Sequence, residues 1–566
     1  MTSRKRHILL IAALWGAALA AYSNSFQGAL VFDAQGLILE DARLAAPTAA
    51  NVKRIFTEDY WSTGTRSGLY RPLVKLTYMA TGTSPALNHW VNFLLHAINL
   101  TLVYLLGLVL MRRSDLAFLW AAVWALHPVL TESVTNVVGR PDLLAGFAVL
   151  AGLLCHIRRQ RAALAVVALI GVFSKESAVV LLAAMVLYDI AWRNRDPVSY
   201  ACVAAPLALF AWARMHVFHG LSPASIPFTD NPIVAAGFVS GLLTAIKVIG
   251  RYLLLLLWPS TLSCDYSYNE VPLAGWDDFG ALASLAVIAA AAVWTLRNRR
   301  RRPLAFLLVG LFFAGLLPTA NLLFPIGTIM AERFLYVPAI GFAGCAVLAA
   351  GEKWGRWVLA AACVLLAVRT WARNEDWRDN QSLWASAAAA APDSYKAHMS
   401  AAGGLPLAGA AREMDRALAI VDPLPDARNV ATVYVNAGGL FRDMGDAARP
   451  PEREKLYRKS LATLERGERI QNASGSVRWF QLYQELGAVW LRLGDFDRAA
   501  VYLFEATMVA PGNPQLKAEL ADAYGRSGVA CAVRNGAVNM DCPPVREQAC
   551  RAARNLGNES ACEPPK

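Results

Sequence analysis

Charged side chains are scarce in this sequence. They make up only 17% of its 566 residues, while 56% of the residues are hydrophobic. A soluble domain has about 25% charged and about 45–50% apolar residues, so the composition indicates that much of the chain lies in lipid. The sequence also lacks HExxH, paired CxxC, GxSxG and Walker A motifs, and its eight His residues are scattered. These absences argue against a zinc enzyme of a known motif, a nucleophile-elbow hydrolase and a P-loop protein.

The net charge of +12 is concentrated in clusters that lie beside the apolar runs. Cytoplasmic ends of membrane helices collect Lys and Arg in this way, so the charge indicates membrane topology and argues against a nucleic-acid partner. Six clusters follow this pattern: residues 4–6, 112–113, 158–161, 193–195, 297–302 and 353–356.

The apolar runs predict about eleven membrane crossings. A membrane helix needs about 20 apolar residues to cross a hydrocarbon core of about 30 Å. If the N-terminus is cytoplasmic, this number places all six basic clusters on the cytoplasmic side. The first run contains Trp15 and lacks a clean cleavage site before Asn24, which favours a retained signal anchor over a signal peptide. The predicted crossings are residues 7–23, 88–110, 115–133, 141–157, 162–175, 177–192, 198–217, 278–296, 303–321, 334–350 and 355–370.

Residues 236–258 are a special case because they are apolar enough to cross the membrane but contain Lys247 and Arg251. Counting them as a crossing would place a basic cluster on the wrong side of the membrane. We therefore predict an amphipathic or re-entrant helix on the outer face. An odd number of crossings then places the C-terminus outside, together with the loops 24–87 and 218–277.

The polar residues of chemical interest lie almost entirely on that outer side. Charges near a membrane are costly and tend to face a cavity or one another, so these charged turns predict a site. The candidate residues are Asp33, Arg71, His127, Glu132, Arg140, Asp142, Lys175, Glu176, Glu332 and Arg333.

Structural roles for the same residues stay open at this point. Asp33 could cap a turn, Arg71 could anchor the chain at the lipid headgroups, and neighbouring charges could form local ion pairs. These local pairs would be Arg140 with Asp142, Arg140 with Glu132, and Lys175 with Glu176.

A lipid-linked sugar phosphate is a substrate that such a site would fit. Arg and Lys side chains at helix ends can bind the phosphate and stabilise the charge that develops on the leaving group. A carboxylate can accept the proton of the attacking hydroxyl as a general base. The apolar helices would admit the polyprenyl tail from the bilayer. The sequence therefore predicts a membrane glycosyltransferase in which Asp33 is the base, with no cofactor beyond the lipid-linked donor; a divalent metal stays open.

Seven motifs follow one another in an order that resembles a known family. They are YSNSFQGALVFDAQGLI, YRPLVKLTY, NHWVNFLLHAINLTLVYLL, LHPVLTESVTNVVGRPDLLA, SKES, WPSTLSCDYSY and MAERFLYVP. Together they are similar to the transmembrane and TPR repeat-containing O-mannosyltransferases, relatives of the protein O-mannosyltransferases with the GT-C fold. The resemblance covers about residues 20–340, and a TPR-like tail continues it.

The resemblance implies roles for several of the candidate residues. Asp33 would be the catalytic acid of the first outer loop. The motifs containing Arg140 and Asp142, Lys175 and Glu176, and Glu332 and Arg333 would line the donor site. The family usually has two acids in tandem in the first loop, and this sequence has Ala34 at the second position.

The C-terminal region predicts a helical-repeat domain and a Cys-rich tail. Residues 480–513 match a 34-residue TPR pattern, and two more degenerate units are expected between residues 395 and 464. The last 36 residues contain Cys531, Cys542, Cys550 and Cys562, which predict two disulfides with three alternative pairings.

The predicted fold is thus all-α: a polytopic GT-C-like membrane domain of about eleven helices, residues 1–370, followed by an α-solenoid of TPR-like repeats, residues 371–530, and a tail, residues 531–566. The predicted activity is transfer of a mannose-like sugar from polyprenyl phosphate to a Ser/Thr hydroxyl of a polypeptide, which the repeats would hold. The alternatives are a GT-C enzyme that modifies a lipid or surface glycan, and a non-enzymatic membrane scaffold.

The predicted location is a membrane with the repeat domain on the outer side. The Ala- and Arg-rich composition favours a bacterial inner membrane with a periplasmic repeat domain, and the endoplasmic reticulum membrane is the eukaryotic alternative.

Overall fold

The computed structural model describes residues 3–62, 67–194, 196–220, 226–351, 354–474, 479–529, 531–534 and 537–555. The chain divides into two compact units. The first consists of Met1–Ile226 and Asp230–Ala391, and the second of Pro227–Thr229 and Pro392–Lys566.

The first unit is built from α-helices, with short 3-10 turns between several of them. The helices are α1 (Ser3–Tyr22), α2 (Ala49–Thr57), α3 (Pro72–Thr81), α4 (Pro85–Met111), α5 (Ser114–Ala125), α6 (Thr131–Val134), α7 (Arg140–Ile157), α8 (Arg161–Val172), α9 (Val180–Trp192), α10 (Pro197–Phe218), α11 (Phe238–Leu257), α12 (Phe279–Asn298), α13 (Pro303–Leu316), α14 (Pro338–Ala349), α15 (Trp354–Asp376) and α16 (Asn380–Ala390).

Each of the eleven predicted crossings overlaps at least one of these helices. The apolar runs alone are therefore enough to predict the helices. Among the described residues, seven helices are long and apolar enough to cross a membrane: α1, α4, α7, α10, α11, α12 and α15, with α1 and α7 counted together with the 3-10 turns that adjoin them. The bent pair of helices at Ser114–Ala125 and Pro128–Val134 raises this number to eight if it forms one span. The protein is therefore an integral membrane protein, while the number eleven stays a prediction.

Helix α11 belongs to these seven, although the sequence predicts that it lies on the outer face. Its two cations contact the segment that follows it. Lys247 Nζ lies 2.6 Å from an Asp278 carboxylate oxygen, and Arg251 donates to the Glu270 carbonyl oxygen at 3.0 Å. Each charge thus has a polar partner, and the placement of α11 on the outer face stays a prediction.

The first loop between α1 and α4 is folded around a buried ionic cluster. Lys75 Nζ donates to the Leu37 carbonyl oxygen at 2.7 Å and to an Asp41 carboxylate oxygen at 2.6 Å. Arg43 donates to the same carboxylate and to the carbonyl oxygens of Asp59 and Tyr60. All three charged side chains of the cluster are almost completely buried. These bonds fix the turn Gln35–Leu39, which lies directly after Asp33.

The helices of the second unit are α17 (Tyr395–Ala402), α18 (Leu407–Val421), α19 (Ala431–Ala447), α20 (Glu452–Ser474), α21 (Phe480–Leu493), α22 (Phe496–Val509), α23 (Pro514–Arg526) and α24 (Pro543–Asn555). Consecutive helices from α17 to α23 pack against one another, and α24 packs against α22. A two-residue antiparallel ladder, β1 (Val533–Arg534) with β2 (Ala537–Val538), is the exception to the all-α prediction.

Helices α21 and α22 coincide with the predicted repeat at residues 480–513. A Cβ atom on Gly487 would lie 2.6 Å from the Leu503 side chain, so glycine permits the close approach of the two helices. Gly494 ends α21 with a φ of +83°, a left-handed conformation that glycine adopts without strain. The two helices form a packed pair at the predicted position, and the assignment of TPR repeats stays a prediction.

The Cys-rich tail contains disulfide bonds, and the predicted number of two stays a prediction. One joins Cys531 to Cys542. Cys550 is disulfide-bonded as well, and Cys562 lies outside the described residues.

Candidate functional site

The first ion pair of the candidate site joins the start of α3 to the turn before α9. Arg71 precedes Pro72, the first residue of α3, and its Nη2 and Nε atoms donate to Glu176 Oε2 at 3.1 and 3.3 Å. The guanidinium also lies 5.4 Å from the centre of the Tyr60 ring, a cation–π distance. Arg71 is therefore fixed on one edge of its guanidinium, and among the described residues its Nη1 has no hydrogen-bond partner.

The second pair lies next to the first. Lys175 Nζ donates to Asp142 Oδ1 at 2.5 Å, and both side chains are at least nine-tenths buried. Asp142 lies in the first turn of α7, where the helix dipole favours a carboxylate. Lys175 also lies 5.6 Å from the centre of the Phe334 ring.

The third pair joins α6 to the 3-10 turn Glu332–Leu335. The backbone N–H of Arg333 donates to Glu132 Oε2 at 2.8 Å, and its Nη1 donates to the other oxygen of the same carboxylate. Glu132 is completely buried, whereas 26% of the Arg333 side chain is exposed. Among the described residues, the Nε and Nη2 atoms of Arg333 have no hydrogen-bond partner. The Phe334 ring, 5.2 Å from this guanidinium, lies against both Arg333 and Lys175.

Several of these residues line a small cavity in the first unit. Its polar and aromatic walls come from four segments of the chain, and apolar residues such as Val180 and Val337 complete it. The polar and aromatic residues are Asp142, Lys175, Ser177, Thr319, Arg333 and Phe334.

Asp33 is half-buried and lies close enough to this cluster to affect its electrostatics. Burial lowers the pKa of Arg333, but the carboxylates of Glu132, Asp33 and Asp142 outweigh burial and raise this pKa above its ordinary value. For Tyr78, burial raises the pKa to about 12, and the Asp33 carboxylate adds to this increase. Asp33 thus lies within electrostatic range of a cation of the cavity wall and of a buried phenol.

Ala34, the residue after Asp33, lies in apolar surroundings. Its side chain is completely buried in an apolar cluster with Leu37, Val74 and Tyr78. A second acid at this position would therefore lie among apolar side chains.

Three of the candidate residues have contacts away from the cavity. His127 accepts from the Val129 N–H at 3.3 Å, and its other ring nitrogen lies 3.0 Å from the Leu256 carbonyl oxygen, so it caps a 3-10 turn. Arg140 donates to Asn92 and Asn88 and lies 4.6 Å from the centre of the Tyr78 ring.

Glu332 points away from its neighbour Arg333. It accepts from the Ser263 N–H and from the Tyr266 hydroxyl, both at 2.7 Å. Its carboxylate lies 4.0 Å from the guanidinium of Arg373, and both side chains are completely buried. Burial raises the pKa of Glu332 to about 7.

None of the three local ion pairs considered above occurs among the described residues. Each acid instead pairs with a distant cation: the sequence separations are 105 for Arg71 with Glu176, 33 for Lys175 with Asp142 and 201 for Arg333 with Glu132. The aromatic residues Tyr60 and Phe334, which contact these cations, carry no spacing signal that could have marked them.

Among the described residues, no group of three or more His, Cys, Asp or Glu side chains is placed to hold a metal ion. The chemistry that the geometry supports is therefore that of fixed cations and carboxylates beside a cavity.

No protein-family model matches the chain. Curated proteins do: the chain is 27% identical over 482 residues to Protein O-mannosyl-transferase Tmtc3 of Drosophila melanogaster, with 68% of this chain and 52% of the relative covered. It is 28% identical over 433 residues to Protein O-mannosyl-transferase TMTC3 of Mus musculus, with 65% and 46% covered. It is 27% identical over 462 residues to Protein O-mannosyl-transferase TMTC1 of Homo sapiens, with 68% and 52% covered.

The chain spans about half the length of these curated relatives. The relatives come from animals, so they give no support to the bacterial inner membrane that the composition favours. Their names agree with the family indicated by the seven motifs, which confirms that resemblance. The chain is a relative of the transmembrane and TPR repeat-containing O-mannosyltransferases.

Proposed function

We propose that the chain is a membrane glycosyltransferase that moves a mannose-like sugar from a polyprenyl-phosphate donor to a Ser/Thr hydroxyl of a polypeptide. The relatives are named protein O-mannosyl-transferases, which supports this class of reaction. The observation that carries the proposal is the group of three cations, Arg71, Lys175 and Arg333, each bonded to a carboxylate. Lys175 and Arg333 line the same cavity.

The cations are arranged to bind a phosphate. Glu176 binds one edge of Arg71 and leaves Nη1 available, and Glu132 binds Nη1 of Arg333 and leaves Nε and Nη2. A guanidinium has five N–H donors in a planar fork, so an arginine can bind its carboxylate and a phosphate oxygen together. Lys175, which lines the cavity together with Arg333, is a third positive charge. The carboxylates hold the cations in place before the donor arrives, and the cations stabilise the phosphate that leaves.

Asp33 is the proposed general base. Its carboxylate accepts the proton of the acceptor hydroxyl as the hydroxyl oxygen attacks the anomeric carbon. The bond between that carbon and the phosphate oxygen breaks, and the lipid phosphate leaves with both electrons, so the anomeric configuration inverts. The influence of Asp33 on the pKa of Arg333 supports this role, because the base and the phosphate-binding cations must face the same sugar.

The remaining parts of the chain have roles that follow from this reaction. The apolar helices of the first domain, proposed to end near residue 370, would hold the polyprenyl tail in the bilayer. The helical repeats, proposed for residues 371–530, would bind the polypeptide acceptor or a partner protein. The site and the repeats are proposed to face the outer side of the membrane.

The test is transfer of labelled mannose from polyprenyl phosphate to a Ser/Thr peptide by the purified full chain. We expect Asp33→Asn to lower kcat about 100-fold or more, since a positioned base contributes about that much. Glu40→Gln, which changes an exposed acid in the same loop, is the matched control. Unchanged transfer by Asp33→Asn would refute the mechanism. Transfer to a lipid or glycan but to no peptide would favour the second enzyme class, and no transfer by the wild type to any of these acceptors would favour a scaffold.

A further inference from the structure

The segment that leads to Asp33 contacts the corner between α15 and α16. Asn24 Nδ2 donates to the Trp371 carbonyl oxygen at 2.9 Å and lies 2.6 Å from a Glu375 carboxylate oxygen. Five residues later, the Ala29 N–H donates to the Arg378 carbonyl oxygen at 2.8 Å. The approach to the proposed base is thus bonded to one structural element that is remote in sequence.

Phe32, the residue before Asp33, contacts the same corner through both its backbone and its ring. Its N–H donates to Asn380 Oδ1 at 3.0 Å. Its ring lies 6.3 Å from the Trp377 ring and 5.6 Å from the Trp384 ring, measured between centres. Its φ is +59°, a left-handed conformation that a bulky residue rarely adopts. Such a conformation persists only where the surroundings hold it, and it is common at functional sites.

The corner that contacts Phe32 is itself well ordered by its own bonds. Asp379 caps α16 in a capping box with Ser382. Trp377 is completely buried, and the Arg373 guanidinium lies 5.9 Å from its ring centre. The corner can therefore fix Phe32 without relying on Asp33 or on any residue of the cavity wall.

On the basis of these contacts, we propose that Asn380, together with Trp377 and Trp384, is a positioning group for the Asp33 carboxylate. The inference rests on the proposed function, because it assumes that Asp33 is the base. The left-handed turn at Phe32 determines the direction in which the Asp33 side chain leaves the backbone. The Asn380 oxygen holds that turn by one hydrogen bond, and the two indole rings hold it by packing.

Asn380 is the residue at which this role can be separated from general stability. It is exposed at the first position of α16, so its replacement removes no core packing. Asn380→Leu keeps the size and removes the acceptor oxygen, while Asn380→Asp keeps an oxygen in the same place. Gln381→Leu makes the same chemical change one residue later and is the matched control.

For Asn380→Leu we expect kcat to fall about tenfold while KM for the polyprenyl-phosphate donor stays within twofold of the wild type. The donor-binding cations keep their own carboxylate partners, so donor affinity does not depend on Phe32. Asn380→Asp should retain kcat at pH 8, and Gln381→Leu should match the wild type. Hydrogen–deuterium exchange in peptides covering residues 26–38 should become faster in Asn380→Leu alone, with thermal midpoints alike in all variants.

The outcomes separate the two proposals. If Asp33→Asn retains activity, the proposed function falls, and the positioning role falls with it. If Asp33→Asn is inactive but Asn380→Leu keeps its full kcat despite faster exchange, the positioning role alone is overturned. An equal loss of kcat in Asn380→Leu and Gln381→Leu would also overturn it, since the loss would then come from α16 in general.

Discussion

The buried Glu332 makes the stability of the first unit depend on pH. Its carboxylate accepts from the Ser263 N–H and the Tyr266 hydroxyl, and burial raises its pKa from 4.5 to about 7. It lies in the turn before α14, next to Arg333, which is proposed to bind the donor phosphate. Glu332→Gln keeps an acceptor oxygen for both donors and removes the titration, so it isolates the effect of the charge.

The sign of the effect follows from the raised pKa. Between pH 4.5 and about 7 the folded protein keeps a proton on Glu332 that the unfolded chain has released. The stabilisation is therefore complete below pH 4.5 and is lost as the pH rises to about 7. At about 1.4 kcal/mol for each pH unit, this interval corresponds to about 3 kcal/mol of unfolding free energy.

The assay is denaturant unfolding of the purified chain in detergent at pH 4.5, 6 and 8. We expect the unfolding free energy of Glu332→Gln, relative to the wild type, to increase by about 3 kcal/mol from pH 4.5 to 8. The exposed-acid variant Glu40→Gln should show no such trend. A constant difference between Glu332→Gln and the wild type across this range would refute the reasoning, because it would mean that Glu332 titrates alike in both states.

Three further changes have expected outcomes. Ala34→Asp places a carboxylate in the apolar cluster beside Leu37. In the same assay, it should lower the unfolding free energy by about 3 kcal/mol or more. Higher transfer activity with unchanged stability would contradict the placement of Ala34. Arg333→Lys keeps the charge but loses the planar fork, so KM for the donor should rise about tenfold, and an unchanged KM would argue against a phosphate contact. Cys531→Ser removes the disulfide to Cys542 and should destabilise the second unit by about 2–4 kcal/mol, which lowers its thermal midpoint. Because this bond is already absent from the variant, its reduction should contribute no further decrease in the midpoint.

The sequence was a sufficient guide to the helices but a poor one to the ion pairs. An apolar run predicts a helix by itself, and each of the eleven predicted runs overlaps a helix. Among the described residues, seven of the helices are long and apolar enough to cross a membrane, or eight if the bent pair forms one span. An ion pair depends on which helix ends meet, and spacing along the chain carries no information on a separation of 201 residues such as that between Glu132 and Arg333. The sequence therefore predicts that the charged turns lie on one side of the membrane, but it does not predict which acid pairs with which cation.

Ala34, which replaces the second acid of the usual tandem pair, has a different meaning in the structure than in the sequence. At the level of sequence, Ala34 beside Asp33 looks like the loss of half of a functional pair. Asp33, which follows the left-handed Phe32, lies within electrostatic range of Arg333, while Ala34 packs with Val74 in the apolar cluster. Neighbouring residues in this turn thus face different surroundings, and local spacing cannot show which of them faces the site.

The acids near the proposed site form two groups: three that accept hydrogen bonds from cations, and Asp33, the proposed base. Glu132, Asp142 and Glu176 each accept hydrogen bonds from a cation that the donor phosphate needs. Asp33 belongs to a separate loop, which the Lys75 cluster fixes on one side and the α15–α16 corner on the other. The loop can therefore orient its acid towards the acceptor without disturbing the cations that bind the donor.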